Sequence, residues 1–268
     1  MKIDVLGVKI DTLTKDGLLN EIRTRLQGSE STFIVTPYSE SIVAAQKDLE
    51  FRNILNSADI ALPDGIGILW AAKYLELRIK NHESWTGNIW PLIYSLLSII
   101  FNPSYIRHPI PEKISGSEFV WDLAELASKN NFSIFLLGGF GNTPGRVGEK
   151  LKKKFPDLKI AGMLNENNPS FEALTAINNS NTDILFVALG PIKQEKWIYE
   201  NLPKLRVKLA IVLGGTFDYL AGKRPPAPKI WAGRGLEWLW RLLTQPWRIW
   251  RILKGVGGLI WYCFKIKR

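Results

Sequence analysis

Residues 183–218 read DILFVALGPIKQEKWIYENLPKLRVKLAIVLGGTFD. Asp183 to Leu189 and Lys208 to Leu213 are short apolar runs of strand length, each closed by glycine. Lys193 to Leu202, between them, carries the spacing of an amphipathic helix. Apolar runs without alternation mark strands covered on both faces, and two such strands joined through a helix make a unit of a parallel sheet.

The same grammar extends toward the N-terminus. Thr32 to Thr36, Asp59 to Leu62, Asn131 to Leu137 and Leu158 to Met163 read as further buried strands. Ser39 to Leu55, Ile66 to Leu77, Ser117 to Lys129, Pro144 to Phe155 and Phe171 to Asn179 read as the helices between them, several opening on a Ser, Thr or Pro start signal. The predicted fold is α/β and Rossmann-like, a mostly parallel sheet with helices on both faces. The opening MKIDVLGVKIDTL alternates polar and apolar residues, reads as a strand or hairpin, and lacks the apolar core and cleavage site of a secretion signal.

Two regions break the pattern. Residues 81–111 hold an uncharged run, Ile89 to Phe101, four prolines and both histidines, and read as an insertion. After KRPPAPK, residues 229–268 read as a helical appendage to a core of residues 1–228. This appendage carries nine basic residues against Glu237 alone, and six of the eleven tryptophans, so it supplies eight of the ten net positive charges. Basic charge interleaved with Trp fits a surface that meets phosphates beside an apolar layer. No apolar run reaches the roughly 18 to 20 residues that crossing a bilayer requires. The expectation is therefore peripheral attachment to the cytoplasmic face of the cell membrane. The lone Cys263 asks for no oxidising compartment.

In sheets of this kind ligands sit beyond the carboxyl ends of the strands. Gly138 and Gly139 begin a glycine turn that opens a helix and ends at Gly145, with Glu166 about twenty residues on, which suits a diphosphate or a plain tight turn. Asp64, in Pro-Asp-Gly, is a candidate general base or a turn aspartate. Gln194 and Glu195 follow Gly190-Pro191 at a helix entrance, where they grip a sugar or nucleotide or act as caps. Asp218, after Gly214-Gly215, is a nucleotide contact or a helix-start acid. Arg234, Arg241 and Arg248 recur every seven residues, one face of a continuous helix, and suit a phosphorylated partner. His82 and His108 have no metal-ligand spacing and there is no D-x-D pair, so no metal or other cofactor is expected.

Taken together these motifs resemble the WecG/TagA/CpsF family of bacterial glycosyltransferases. The resemblance rests on Thr36-Pro37 with Glu40, Pro63-Asp-Gly-Ile-Gly67 with Trp70, Ile114-Ser-Gly-Ser117, Leu136-Leu-Gly-Gly139, and Gly190-Pro191 with Gln194-Glu195 and Trp197. It continues through Gly214-Gly-Thr-Phe-Asp218 with Ala221-Gly222 and Leu236-Glu-Trp-Leu239 with Arg241-Leu242, in order over nearly the whole chain. It implies inverting, metal-independent transfer of a sugar, N-acetylmannosamine, its uronic acid or a related hexose, from a UDP-sugar to a polyprenyl-diphosphate-linked sugar. The products would feed teichoic acid or cell-surface polysaccharide. Asp64 would be the base, and Thr36 and Gln194 would line the sugar and diphosphate part of the pocket. Arg241, with Arg234 and Arg248, would meet the diphosphate as the appendage closes at the membrane.

The chain departs from the family pattern at Tyr38 for Asn, Lys113 for Arg and Glu118 for Asp, which leaves the donor sugar open. The 81–111 insertion would add a membrane contact or a homo-oligomer interface. Two rival readings are a nicotinamide-dependent oxidoreductase built on Gly138 to Gly145, and a basic nucleic-acid-binding protein, although no nucleic-acid-binding motif is present.

Overall fold

A computed structural model describes residues 1–81, 89–223, 237–244, 246 and 249–266. The chain opens with an antiparallel hairpin, β1 (Lys2–Val5) and β2 (Val8–Asp11). The main sheet has six strands: β3 (Thr32–Val35), β4 (Ile60–Ala61), β5 (Ser133–Gly138), β6 (Lys159–Leu164), β7 (Ile184–Ala188) and β8 (Leu209–Val212). Every neighbouring pair is parallel, in the order β4-β3-β8-β7-β5-β6. The six apolar runs thus become the six strands, with ends shifted by one or two residues.

Alternate residues of each strand point to opposite faces. Ile34, Ile134, Leu136, Ile184, Phe186 and Ile211 join one core with α1 (Lys15–Gln27) and α6 (Gly116–Lys129). Phe33, Val35, Phe135, Leu185, Val187 and Val212 join the other, beneath α4 (Ile66–Asn81) and α9 (Lys193–Asn201). Two covered faces are the reason five of the strands read as continuously apolar, while the edge strand β6 is partly exposed along its length.

The expected single helix from Ser39 to Leu55 is two helices, α2 (Ser39–Ala45) and α3 (Leu49–Ser57). Asp48 causes the break: its carboxylate accepts the Phe51 N–H at 2.9 Å and caps α3. The apolar run of residues 81–111 forms α5 (Ile89–Phe101), which packs against α4. The helices α7 (Thr143–Lys154), α8 (Phe171–Asn179) and the short α10 (Thr216–Leu220) complete the crossovers.

The end of the chain folds back onto this core. A π-helical turn, Leu253–Gly257, runs into a helix over Gly258–Lys265. Leu259 and Cys263 from this segment are fully buried against α2 and α4, and burial pushes the Cys263 thiol up to about 12. Arg78 of α4 donates from one guanidinium nitrogen to the carbonyls of Cys263 and Phe264, at 2.8 and 3.1 Å, satisfying orphan carbonyls at the helix end. Close approach is possible because Gly255 lacks a side chain: a Cβ there would lie 2.5 Å from Glu40 Cγ. Among the described residues no helix is long and apolar enough to cross a membrane.

Candidate active site

Beyond the carboxyl ends of the parallel strands lies a cavity of about 710 Å³, a size typical of small-molecule sites. The segment following each of the six strands reaches it: Thr36 after β3, Asp64 after β4, Gly139 after β5, Asn167 after β6, Gly190 after β7 and Gly214 after β8. This is the position that an open α/β sheet reserves for ligands.

Asp64 is held through its backbone, whose N–H donates to the carbonyls of Leu62 at 2.9 Å and Pro37 at 3.2 Å. Across from it stands Gly116, the first residue of α6. A Cβ on Gly116 would sit 3.6 Å from Thr36 Cγ2, 3.7 Å from Thr216 Oγ1 and 3.8 Å from Asp64 Oδ2. Thr36, Asp64 and Thr216 therefore ring one small space that the missing side chain keeps open. Thr36 also donates to the Val212 carbonyl at 3.3 Å, tying the end of β3 to that of β8.

Lys113, Ser115 and Ser117 line the same cavity around the N-terminus of α6, with the two serine hydroxyls 3.0 Å apart. A lysine beside a helix N-terminus favours an anion. Gln194, buried on the opposite wall, accepts the Gly214 N–H at 3.0 Å and donates to Glu195 Oε1 at 3.2 Å. The turn before it carries Gly190 at φ +92° and Ile192 at φ +69°. The latter is costly for a β-branched residue and is the kind of strain held at functional turns.

With this geometry in place, comparison with known proteins is decisive. The family described as "Glycosyl transferase WecG/TagA/CpsF family" matches residues 3–95 and 98–268. The chain belongs to that family. An N-acetylglucosaminyldiphosphoundecaprenol N-acetyl-beta-D-mannosaminyltransferase from Bacillus spizizenii is 28% identical over 246 residues, covering 91% of this chain and 83% of its own. The protein of the same name from Staphylococcus aureus is 25% identical over 272 residues, covering 100% of this chain and 94% of its own. One from Bacillus subtilis is 29% identical over 222 residues, covering 82% and 74%.

Within this WecG/TagA/CpsF glycosyltransferase, Asp64, Thr36, Gln194, Lys113, Gly139, Gly190, Gly214, Gly215 and Asp218 come together on the cavity wall. Two other expected residues lie behind it. Gly138 abuts the Ala188 backbone, where a Cβ would collide with the carbonyl oxygen. Glu195 is buried beneath Gln194, its Oε2 has no hydrogen-bond partner among the described residues, and burial raises its carboxyl to about 7. Arg241 lies on the helix Glu237–Thr244 with its side chain outside the described residues, as do Arg234 and Arg248 entirely.

Within the Gly138–Gly145 loop the Gly139 amide is committed to the protein. The Gly139 N–H donates to Ala188 at 3.0 Å, Gly145 makes room for the Asn142 side chain, and Glu166 accepts the Ser170 N–H at 3.2 Å at the start of α8. His108 is exposed and lies 3.2 Å from Glu76, while His82 falls outside the described residues. Among the described residues no three His, Cys, Asp or Glu side chains gather as a metal site.

One part of the cavity wall has no counterpart in the sequence motifs. Leu96, Ile99 and Ile100 of α5 and Ile252, Val256, Leu259 and Ile260 of the C-terminal segment join Trp70 in lining it. All but Ile252, which sits between Arg251 and Lys254, lie in one of two apolar runs, residues 89–101 and 255–264, that read equally well as ordinary core, and only the fold brings both runs to one place.

Proposed function

We propose that this glycosyltransferase moves N-acetylmannosamine or a closely related sugar from a UDP-sugar to N-acetylglucosamine carried on a polyprenyl diphosphate, with inversion, at the cytoplasmic face of the membrane. The observation that carries the reading is the ring of Thr36, Asp64 and Thr216 over Gly116, in a cavity that is polar and glycine-rich near the strand ends and apolar between α5 and the C-terminal segment. The acceptor named for the relatives has that same divided character: a sugar and a diphosphate on a lipid.

In this reading Asp64 accepts the proton of the acceptor hydroxyl as its oxygen attacks the anomeric carbon and the bond to UDP breaks. Inversion follows from a single displacement, with the base on the face opposite the leaving group. Gln194, braced between Gly214 and Glu195, orients the sugar together with Thr36. The leaving UDP takes up negative charge. Lys113, the α6 N-terminus and the tail arginines, Arg241 foremost, neutralise it in place of a divalent cation. The lipid-borne acceptor brings the enzyme to the membrane surface, and the basic, Trp-rich tail strengthens that attachment.

The test is a transfer assay with the full chain, UDP-N-acetylmannosamine and a prenyl-diphosphate-linked N-acetylglucosamine, with and without EDTA. The expected result is one disaccharide-lipid formed per UDP released, at a rate EDTA does not change. UDP release without disaccharide, or loss of turnover on chelation, would refute the reaction or its metal independence respectively.

A further inference from the structure

Helix α5 is apolar on both its inner and its outer side. Its thirteen residues carry no charge. The side turned to the protein buries Ser95 and Ser98 and packs Leu92, Leu96 and Ile99 against the core, and Ser95 Oγ accepts the Trp70 indole N–H at 3.0 Å. The side turned away presents Trp90, Tyr94, Leu97, Ile100 and Phe101, with Ile100 60% and Phe101 79% exposed. A helix whose outer side meets only water keeps polar residues there. A contiguous exposed apolar face of this kind marks a surface meant to be covered.

What covers it is indicated by continuity. Ile100 belongs both to this outer face and to the cavity wall, and so does Val256 of the C-terminal segment, which is 38% exposed. Gly67, three residues beyond Asp64, faces Leu259 of the C-terminal segment, where a Cβ would lie 3.5 Å from Leu259 Cδ2, and Trp70 bonds Ser95 of α5; Ile100 and Val256 of those same two elements line the cavity and also reach the outer surface. A ligand with a polar head at Asp64 and a long apolar chain matches that gradient. A compact sugar nucleotide leaves the apolar end empty.

We propose that α5 and residues 252–260 form a groove for an isoprenoid chain, holding the isoprene units nearest the acceptor diphosphate and releasing the rest of the chain along the outer face of α5. This rests on the reading of the acceptor as a polyprenyl diphosphate, and it adds a specificity element for the lipid. Burial of each methylene strengthens binding roughly fourfold, so chain length is the variable to read.

The experiment measures binding without turnover. The full chain, with no UDP-sugar present, is titrated with farnesyl diphosphate below its micellar concentration and, separately, with inorganic diphosphate. Farnesyl diphosphate is expected to bind at least tenfold more tightly, and the double variant Ile100→Gln, Val256→Gln to bring that ratio close to one. Both positions are partly exposed, so the substitutions leave the core packed, and the comparison in the unsubstituted chain needs no variant at all. Equal affinities in the native chain, or a ratio untouched by the double substitution, would overturn the groove. So would sedimentation as a dimer that Ile100→Gln dissolves and farnesyl diphosphate does not disturb, because the face then belongs to a second copy. A failed transfer assay with chain-length-dependent binding indicts the reaction; successful transfer without it indicts the groove.

Discussion

Replacing Asp64 by Asn preserves the side chain's size and removes its basicity. Turnover is expected to fall by about 10²–10⁴-fold while UDP affinity, measured by calorimetry, stays within a few-fold. Glu195 offers a second test at this scale. Its folded-state carboxyl sits at about 7, raised by burial from an ordinary 4.5, so between those two values the folded chain binds more protons than the unfolded one. Stability is highest below about pH 4.5 with respect to this group, declines as pH rises toward 7, and is flat above; the full penalty is on the order of 3 kcal/mol. Glu195→Gln is expected to flatten this part of the stability profile between pH 5 and pH 8 in urea melts. An unchanged slope would mean the carboxyl is not held neutral by burial. Thr36 and Asp64 stand out in the sequence because they closely follow strand-length apolar runs, and Gln194 because it opens the helix that follows another. That Glu195 braces Gln194 from behind was not, since adjacent residues on a helix point in different directions.

Among the elements, the strands were readable because both sheet faces are covered, and their apolar runs have no competing explanation. The break between α2 and α3 was not, because Ile42, Ala45 and Leu49 keep helical spacing across it; the capping of the Phe51 N–H by Asp48 decides the matter and leaves Leu49 exposed. Nor did the sequence reveal which side of α5 packs on the core, with Ser95, Ser98, Leu92, Leu96 and Ile99, since a uniformly apolar run has no face until something packs on it. The C-terminal segment depends on contact at Gly255, and Gly255→Val places a side chain against Glu40. It is expected to destabilise the chain by about 1–3 kcal/mol and to expose the segment to limited proteolysis. Protease resistance equal to that of the native chain would show that α2 and the π-helical turn part without cost.

For the molecule as a whole, the sequence suggested a core of residues 1–228 with an appendage, and residues 249–266 of that appendage bury Leu259 and Cys263 and line the cavity. Truncation at residue 228 is therefore expected to lower the melting temperature as well as liposome binding, because it uncovers α2 and α4. A truncated chain that melts like the full one would contradict this. The location of the cavity followed from topology, since an open parallel sheet gathers its loops at one end; its division into polar and apolar parts arises only when two distant apolar runs meet. The central claim is transfer from a UDP-sugar with Asp64 as base. It is tested most directly by mass-spectrometric assay of the full chain and of Asp64→Asn with UDP-N-acetylmannosamine and prenyl-diphosphate-linked N-acetylglucosamine. The native chain should form the β-linked disaccharide-lipid and the variant almost none; near-normal product from the variant, or no disaccharide from the native chain, would contradict it.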